Sequence, residues 1–264
     1  MKNRIDSRLH RTISSGEPAV GFFETVGYPN IGTSVEIGVS ILDSGADFLE
    51  LGVPFSDPLA EGPTIQESSF RALQNGVTLG TCIDSVYRIR EFNVHTPLIF
   101  MGYYNPFLQY GIERFVIDSK RAGIDGLIIP DLPTEEASSL VDYCSRHEIH
   151  LIPLLAPTST DHRIARACLK ASGFIYCVSV TGVTGVREKI RDNVQALVTR
   201  IRAHTKLPII VGFGISTKQH VDEISQFADG VVVGSALMNK VGSVKPEEAA
   251  DAAASLVRTL KPSS

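Results

Sequence analysis

Five carboxylates stand at or just after short apolar runs of the chain: Glu24, Glu50, Asp57, Glu61 and Asp131. The seven histidines, His10, His95, His147, His150, His162, His204 and His220, instead fall in helical patterns or at the starts of apolar runs. Acid–base chemistry is therefore expected from carboxyl groups. Glu50 is the sharpest of them. It lies inside Phe48-Leu49-Glu50-Leu51-Gly52, in step with Phe48 and out of step with both leucines. If the leucines face packing helices, Glu50 faces the space that the strands enclose. Desolvation there raises its pKa and suits it to give up a proton near neutral pH. A purely structural Glu50 would need an inward lysine or arginine, and no apolar run supplies one.

Glu61 closes a long proline-studded segment, residues 53–66, just before Pro63 opens a helical pattern. Loops of that length in compact domains are usually functional. Charge complementation of a helix start, worth less than about 1 kcal/mol, explains Glu61 equally well. A second constellation suits phosphate. Gly212-Phe213-Gly214-Ile215-Ser216 and Gly234-Ser235-Ala236-Leu237 each follow an apolar run. Glycines let backbone N–H groups approach an anion, and a helix opening at Ser235 adds its positive end. The segment 179–187, with two glycines and two threonines, has the composition of a closing lid or of an ordinary connector.

The elements that must position these groups follow from hydrophobic periodicity. Near-continuous apolar runs predict strands over 20–25, 48–52, 98–103, 126–129, 151–155, 174–179, 208–212 and 231–234. Amphipathic patterns predict helices over 34–44, 64–75, 78–92, 112–122, 135–147, 161–171, 193–204, 217–227 and 246–260. Thr134 and Ser216 read as start signals for two of them. Ile5, Leu9 and Ile13 add a short N-terminal amphipathic helix, which fits better than a cleaved leader. Strands without polar alternation belong in a parallel sheet covered on both faces. Ser44-Gly45-Ala46-Asp47-Phe48, Ala122-Gly123-Ile124-Asp125-Gly126 and Phe227-Ala228-Asp229-Gly230-Val231 repeat one helix-to-strand turn. No GxGxxG follows the first strand, so a dinucleotide-binding sheet is disfavoured. The expectation is an α/β fold, a single-domain (β/α)8 TIM barrel over residues 1–264 with a short N-terminal helix. In such a barrel the C-terminal strand ends carry the site, and phosphate is held after strands 7 and 8.

Composition narrows the partners. The 264 residues carry 25 Lys+Arg against 29 Asp+Glu, a net charge of −4, which argues against nucleic acid. No apolar run is long enough to span a bilayer. Cys82, Cys144, Cys168 and Cys177 lack metal-ligand spacing and read as buried, reduced thiols of a cytoplasmic protein with no metal.

Segment 49–66 (LELGVPFSDPLAEGPTIQ), together with 25–29 (TVGYP), Tyr103, Asn105, 130–133, 179–185 and 212–216, resembles the tryptophan synthase α-subunit family over nearly the whole chain. The resemblance implies a carbon–carbon lyase that cleaves indole-3-glycerol phosphate to indole and glyceraldehyde 3-phosphate. It implies that Glu50 protonates indole C3 and that Glu61 accepts the indole N–H. Phe23, Ile65, Tyr103, Ile128 and Tyr176 would line the substrate pocket. Thr184 would meet the second carboxylate on lid closure. Gly185, Phe213, Gly214, Gly234 and Ser235 would cradle phosphate. Pro54, Asp57 and the stretch near Asp131 would face a β subunit in an α2β2 complex, with PLP in that partner and no cofactor in this chain. The family usually has aspartate where Glu61 stands, an apolar residue at Glu24, and in some members arginine at Val180. Glu24 alternates with Phe23 and Thr25 and should face away from the pocket, in a structural role. The Glu61 exchange leaves open a weakly catalytic subunit acting mainly as an allosteric activator. An isomerase or an indole-3-glycerol phosphate synthase would want lysine or histidine bases at the strand ends, where none stands.

Overall fold

The computed structural model describes residues 3–58, 61–178, 187–212 and 214–261. The strands are β1 (Ala19–Thr25), β2 (Phe48–Gly52), β3 (Leu98–Met101), β4 (Gly126–Ile128), β5 (His150–Ile152), β6 (Leu154–Leu155), β7 (Ile175–Val178), β8 (Ile209–Gly212) and β9 (Gly230–Val233). Helices α1 (Arg4–Ser14), α2 (Ile31–Asp43), α3 (Pro63–Gln74), α4 (Leu79–Phe92), α5 (Tyr104–Tyr110) and α6 (Ile112–Ala122) occupy the first half. The second half holds α7 (Ser138–Arg146), α8 (Asp161–Lys170), α9 (Arg187–Arg202), α10 (Lys218–Ser225), α11 (Ser235–Gly242) and α12 (Ala249–Leu260).

All strand pairs are parallel, in the order β5-β4-β3-β2-β1-β9-β8-β7-β6. The two ends of that order are one stave, the expected fifth strand, split at Pro153. Proline has no N–H to give a ladder, so β5 pairs with β4 and β6 pairs with β7 on either side of it. The Pro153 carbonyl still accepts from the Tyr176 N–H at 3.0 Å. The wall is thus an eight-stave (β/α)8 barrel.

Alternation along each strand makes two cores. Phe23, Phe48, Ile99, Ile128, Ile152, Phe174, Tyr176, Ile210 and Val232 fill the inside of the barrel, and Ile5 and Leu9 of α1 plug it from below. Phe22, Leu49, Leu51, Phe100, Leu127 and Val211 pack outward against the helices. The amphipathic N-terminal helix is therefore part of the core. Asn3 caps it by accepting from the Ile5 N–H.

The repeated turn has a physical basis in its aspartate. Asp47 accepts from the Val20 N–H at 2.8 Å, Asp125 from the Leu98 N–H at 3.0 Å, and Asp229 from the Ile209 N–H at 2.7 Å. Each carboxylate thereby satisfies the start of the neighbouring strand, and each is neutralised by arginine. Arg8 meets Asp47 at 2.9 Å, Arg4 and Arg90 meet Asp125 at 2.8 Å, and Arg202 meets Asp229 at 2.5 Å. Glycine with positive φ supports only the first two copies, at Gly45 and Gly123.

Helices α2 and α9 begin three and six residues before their expected starts, and both start signals read from the sequence are displaced. A separate turn, with the Glu136 N–H donating to the Pro133 carbonyl at 2.9 Å, takes up the residues after Thr134. Helix α7 therefore begins at Ser138, with no side-chain cap from Ala137. Thr217, one residue past Ser216, caps α10 by accepting from the His220 N–H. Helix α5 was not expected, and its start is fixed from a distant loop: the Tyr104 N–H donates to Asp131 at 2.9 Å. The four cysteines are free and buried. Among the described residues no helix is long and apolar enough to cross a membrane.

Glu24 faces away from the barrel interior, as its alternation requires. Its carboxyl lies against α2, where a Cβ on Gly38 would come within 2.8 Å of Oε1. It is 1% exposed and has no hydrogen-bond partner among the described residues. The structural role expected for it therefore rests on no bond, and burial pushes its pKa well above the usual carboxylate range.

Two stability measurements follow from these contacts. Asp125→Ala leaves Arg90 unpaired and the Leu98 N–H unsatisfied, and should cost about 3–5 kcal/mol in denaturant unfolding; a loss under about 1 kcal/mol would contradict the pairing. Glu24→Met should raise the melting temperature, because a raised acid pKa costs stability as pH climbs above the unfolded value. The gain should be larger at about pH 8 than at about pH 5, and a loss at both would show that the carboxyl is needed where it sits.

Candidate active site

The C-terminal mouth of the barrel opens into a cavity with about 1070 Å³ of empty space. Its wall includes the apolar and aromatic side chains of Phe23, Ile65, Met101, Tyr176, Val178 and Val232 and the small or polar Gly212, Gly214, Ser216, Gly234, Ser235, Ala236 and Asn239. Glu61 stands on its rim. A smaller space, lined in part by Phe55, Tyr103 and Ser69, adjoins it through the shared residues Phe23, Glu61, Ile65 and Met101. Another depression, between the β4–β5 edge and α7 and α8, is lined by Leu132, Val141, Leu151, Arg163 and Lys170. It has no carboxylate in its lining and lies outside the barrel mouth.

Glu50 points inward, because Leu49 and Leu51 are committed to the outer core. Its register neighbours are Phe23 on β1 and Ile99 on β3. It is fully buried and lies beneath the mouth rather than on its wall, deeper than the sequence suggested. Neither carboxyl oxygen has a full hydrogen bond among the described residues. Burial raises its pKa to about 8, and the nearby Tyr176 hydroxyl, which favours the charged form, offsets this only in part. The acid is thus held protonated at neutral pH. Two glycines make room for the rings around it. A Cβ on Gly52 would overlap the Phe23 ring, and one on Gly212 would overlap the Tyr176 hydroxyl.

Glu61 is placed by the loop between β2 and α3. Ser69 of α3 anchors that loop, accepting from the Phe55 N–H at 2.9 Å and donating to the Phe55 carbonyl at 3.2 Å. Phe55 stacks on Tyr103 with ring centroids 5.0 Å apart. The Tyr103 hydroxyl donates to the Glu61 carboxylate. The Gln66 side-chain amide donates to the Glu61 carbonyl at 2.9 Å.

Of the residues singled out from the sequence, Phe23, Glu61, Ile65, Tyr176, Gly214, Gly234 and Ser235 meet in the main cavity, and Tyr103 lines the adjoining space. Ile128 is fully buried in the inner core, off the wall, level with Met101. Thr184, Gly185 and Phe213, with most of the expected lid, lie outside the described residues. Pro54 is buried, whereas Asp57 and Asp131 are exposed. Sequence reasoning missed Met101, Val178, Val232 and Asn239. The first three stand two residues beyond inward-facing Ile99, Tyr176 and Gly230 and were accessible to period-2 counting. Asn239 stands one helical turn beyond Ser235. Helix α11 starts at Ser235 behind Gly234, which contributes no side-chain cap, so its first N–H groups face the cavity end.

Known proteins share this sequence and fold. The model of the family described as tryptophan synthase alpha chain matches residues 10–263. The tryptophan synthase alpha chain of Roseiflexus castenholzii is 48% identical over 259 residues, covering 98% of this chain and 99% of that protein. The Chloroflexus aggregans alpha chain is 46% identical over 258 residues, covering 98% and 97%. Among solved structures, the Legionella pneumophila alpha chain superposes with a TM-score of 0.89 at 34% identity, covering 98% of this chain and 96% of that one. A chain of Mycobacterium tuberculosis tryptophan synthase in its aminoacrylate-bound form gives a TM-score of 0.88 at 30% identity, covering 98% and 100%. Sequence and fold thus agree, and the chain belongs to the tryptophan synthase alpha chain family.

Proposed function

We propose that the chain is a lyase of tryptophan biosynthesis that cleaves indole-3-glycerol phosphate to indole and glyceraldehyde 3-phosphate. The observation that carries this reading is Glu50, an acid kept protonated up to about pH 8 under a mouth with Glu61 on its rim. Family membership at 48% identity supports it. Glu50 gives its proton to indole C3 while Glu61 accepts the indole N–H, stabilising the positive charge that develops on the ring. The carbinol hydroxyl beside C3 then gives its proton to the Glu50 carboxylate left by that transfer, its oxygen forms the aldehyde, and the electrons of the breaking C–C bond restore the aromatic ring. Because Glu50 is covered in this structure, its side chain must turn toward the mouth for that contact.

Phe23, Ile65, Tyr103, Ile128 and Tyr176 are assigned to the indole and glycerol pocket. Thr184 is assigned to the lid, and Gly185, Phe213, Gly214, Gly234 and Ser235 to the phosphate. Ile128 would act from beneath the wall. The reaction asks for no cofactor in this chain. Exposed Asp57 and Asp131 are assigned to a face for a PLP-dependent β subunit, which receives the indole in an α2β2 complex in the cytoplasm, with residues 1–264 acting as one barrel domain.

Glu50→Gln should abolish indole release from indole-3-glycerol phosphate while the protein still melts cooperatively, and retained turnover would reject Glu50 as the acid. In the wild type, turnover should fall as pH rises through about 8, because only protonated Glu50 can donate. Glu61→Asp shortens the side chain that meets Tyr103 and should lower cleavage about tenfold. A sharp rise instead would make Glu61 a catalytic handicap and the chain chiefly an activator of its partner.

A further inference from the structure

The phosphate end of the cavity has a donor that the backbone cradle does not include. Among the described residues, Glu61 is the one formally charged side chain on the main wall, and neither lysine nor arginine lines it. On the described wall, a phosphate would meet neutral donors. Three side chains at that end carry them: Ser216, Ser235 and Asn239. Ser216 is turned aside, its hydroxyl within 3.4 Å of His220 Nδ1 and its N–H 3.3 Å from the same nitrogen. Asn239 lies four residues beyond Ser235 on α11, so helical periodicity places both on one face. Its carboxamide makes no hydrogen bond among the described residues.

We propose that Asn239 is a specificity-determining residue whose carboxamide N–H donates to the phosphate of the substrate beside the Ser235 hydroxyl and the first N–H groups of α11. The assignment rests on the lyase reading for the identity of the phosphate ester. The amide supplies a directed donor without a cation. That keeps the ester bound while leaving the cavity free of a positive charge, which would draw Glu61 or a deprotonated Glu50 toward it.

Asn239→Ala and Asn239→Asp test the assignment with two substrates, indole-3-glycerol phosphate and the same indole-3-glycerol without its phosphate. Asn239→Ala should raise KM for the phosphorylated substrate about tenfold. Its kcat should stay within about twofold, and cleavage of the dephosphorylated compound should be unchanged. Asn239→Asp should raise that KM further, because a carboxylate repels the ester. An equal loss on both substrates would show a merely structural residue, and an unchanged KM would remove Asn239 from the site. Calorimetric titration of each protein with glyceraldehyde 3-phosphate needs no turnover. If the wild type binds it more tightly than Asn239→Ala yet fails to cleave indole-3-glycerol phosphate, the lyase reading falls and Asn239 stands. Equal binding by the two proteins overturns Asn239 whether or not cleavage occurs.

Discussion

A strand of a closed barrel has two apolar destinations, and β2 must divide its residues between them. Leu49 and Leu51 belong to the layer between strands and helices. Glu50 is left with the interior, level with Phe23 and Ile99, where water does not reach it. The cost of ionising it there is what turns an ordinary carboxyl into an acid that keeps its proton near neutral pH. Glu24 is the instructive contrast. It is as buried as Glu50 and lacks even a neighbour like the Tyr176 hydroxyl, but its strand position sends it outward against α2. Burial raises both pKa values, and the direction of the side chain sends only Glu50 into the barrel interior.

The electrostatics of the chain divide by location. At the bottom of the barrel, Asp47, Asp125 and Asp229 are each paired with arginine and with the amide of a strand start. These charges close the repeating turn and hold α1 under the barrel through Arg4 and Arg8. At the top, the cavity wall is almost without formal charge among the described residues. A net charge of −4 is thus compatible with binding a phosphate ester, because N–H groups at a helix start can meet an anion without a basic patch.

Period-2 alternation showed in advance which way Glu50 and Glu24 point, because apolar neighbours on a doubly covered strand leave no choice of face. The barrel was legible for the same reason, and the turn around Asp47 and Asp125 was legible as a repeat. Depth was not. Alternation says that Glu50 and Ile128 face inward, but not that both are fully buried off the cavity wall. Nor could a local pattern show that Pro153 splits a stave, since the break is visible only in which neighbour each half pairs with. Thr134 misled because a turn closed by Pro133 competes with the helix for the same residues. Asn239 was invisible because nothing in its own segment marks it. Only the placement of α11 against the cavity does so.

Glu50 carries a proton at neutral pH because it is buried among rings with no full hydrogen bond. Carbon-13 NMR of carboxyl-labelled glutamate, compared between wild type and Glu50→Gln, isolates its titration from that of Glu24. The resonance missing from the variant should titrate with a midpoint near 8. A midpoint in the ordinary glutamate range of about 4–5 would contradict it.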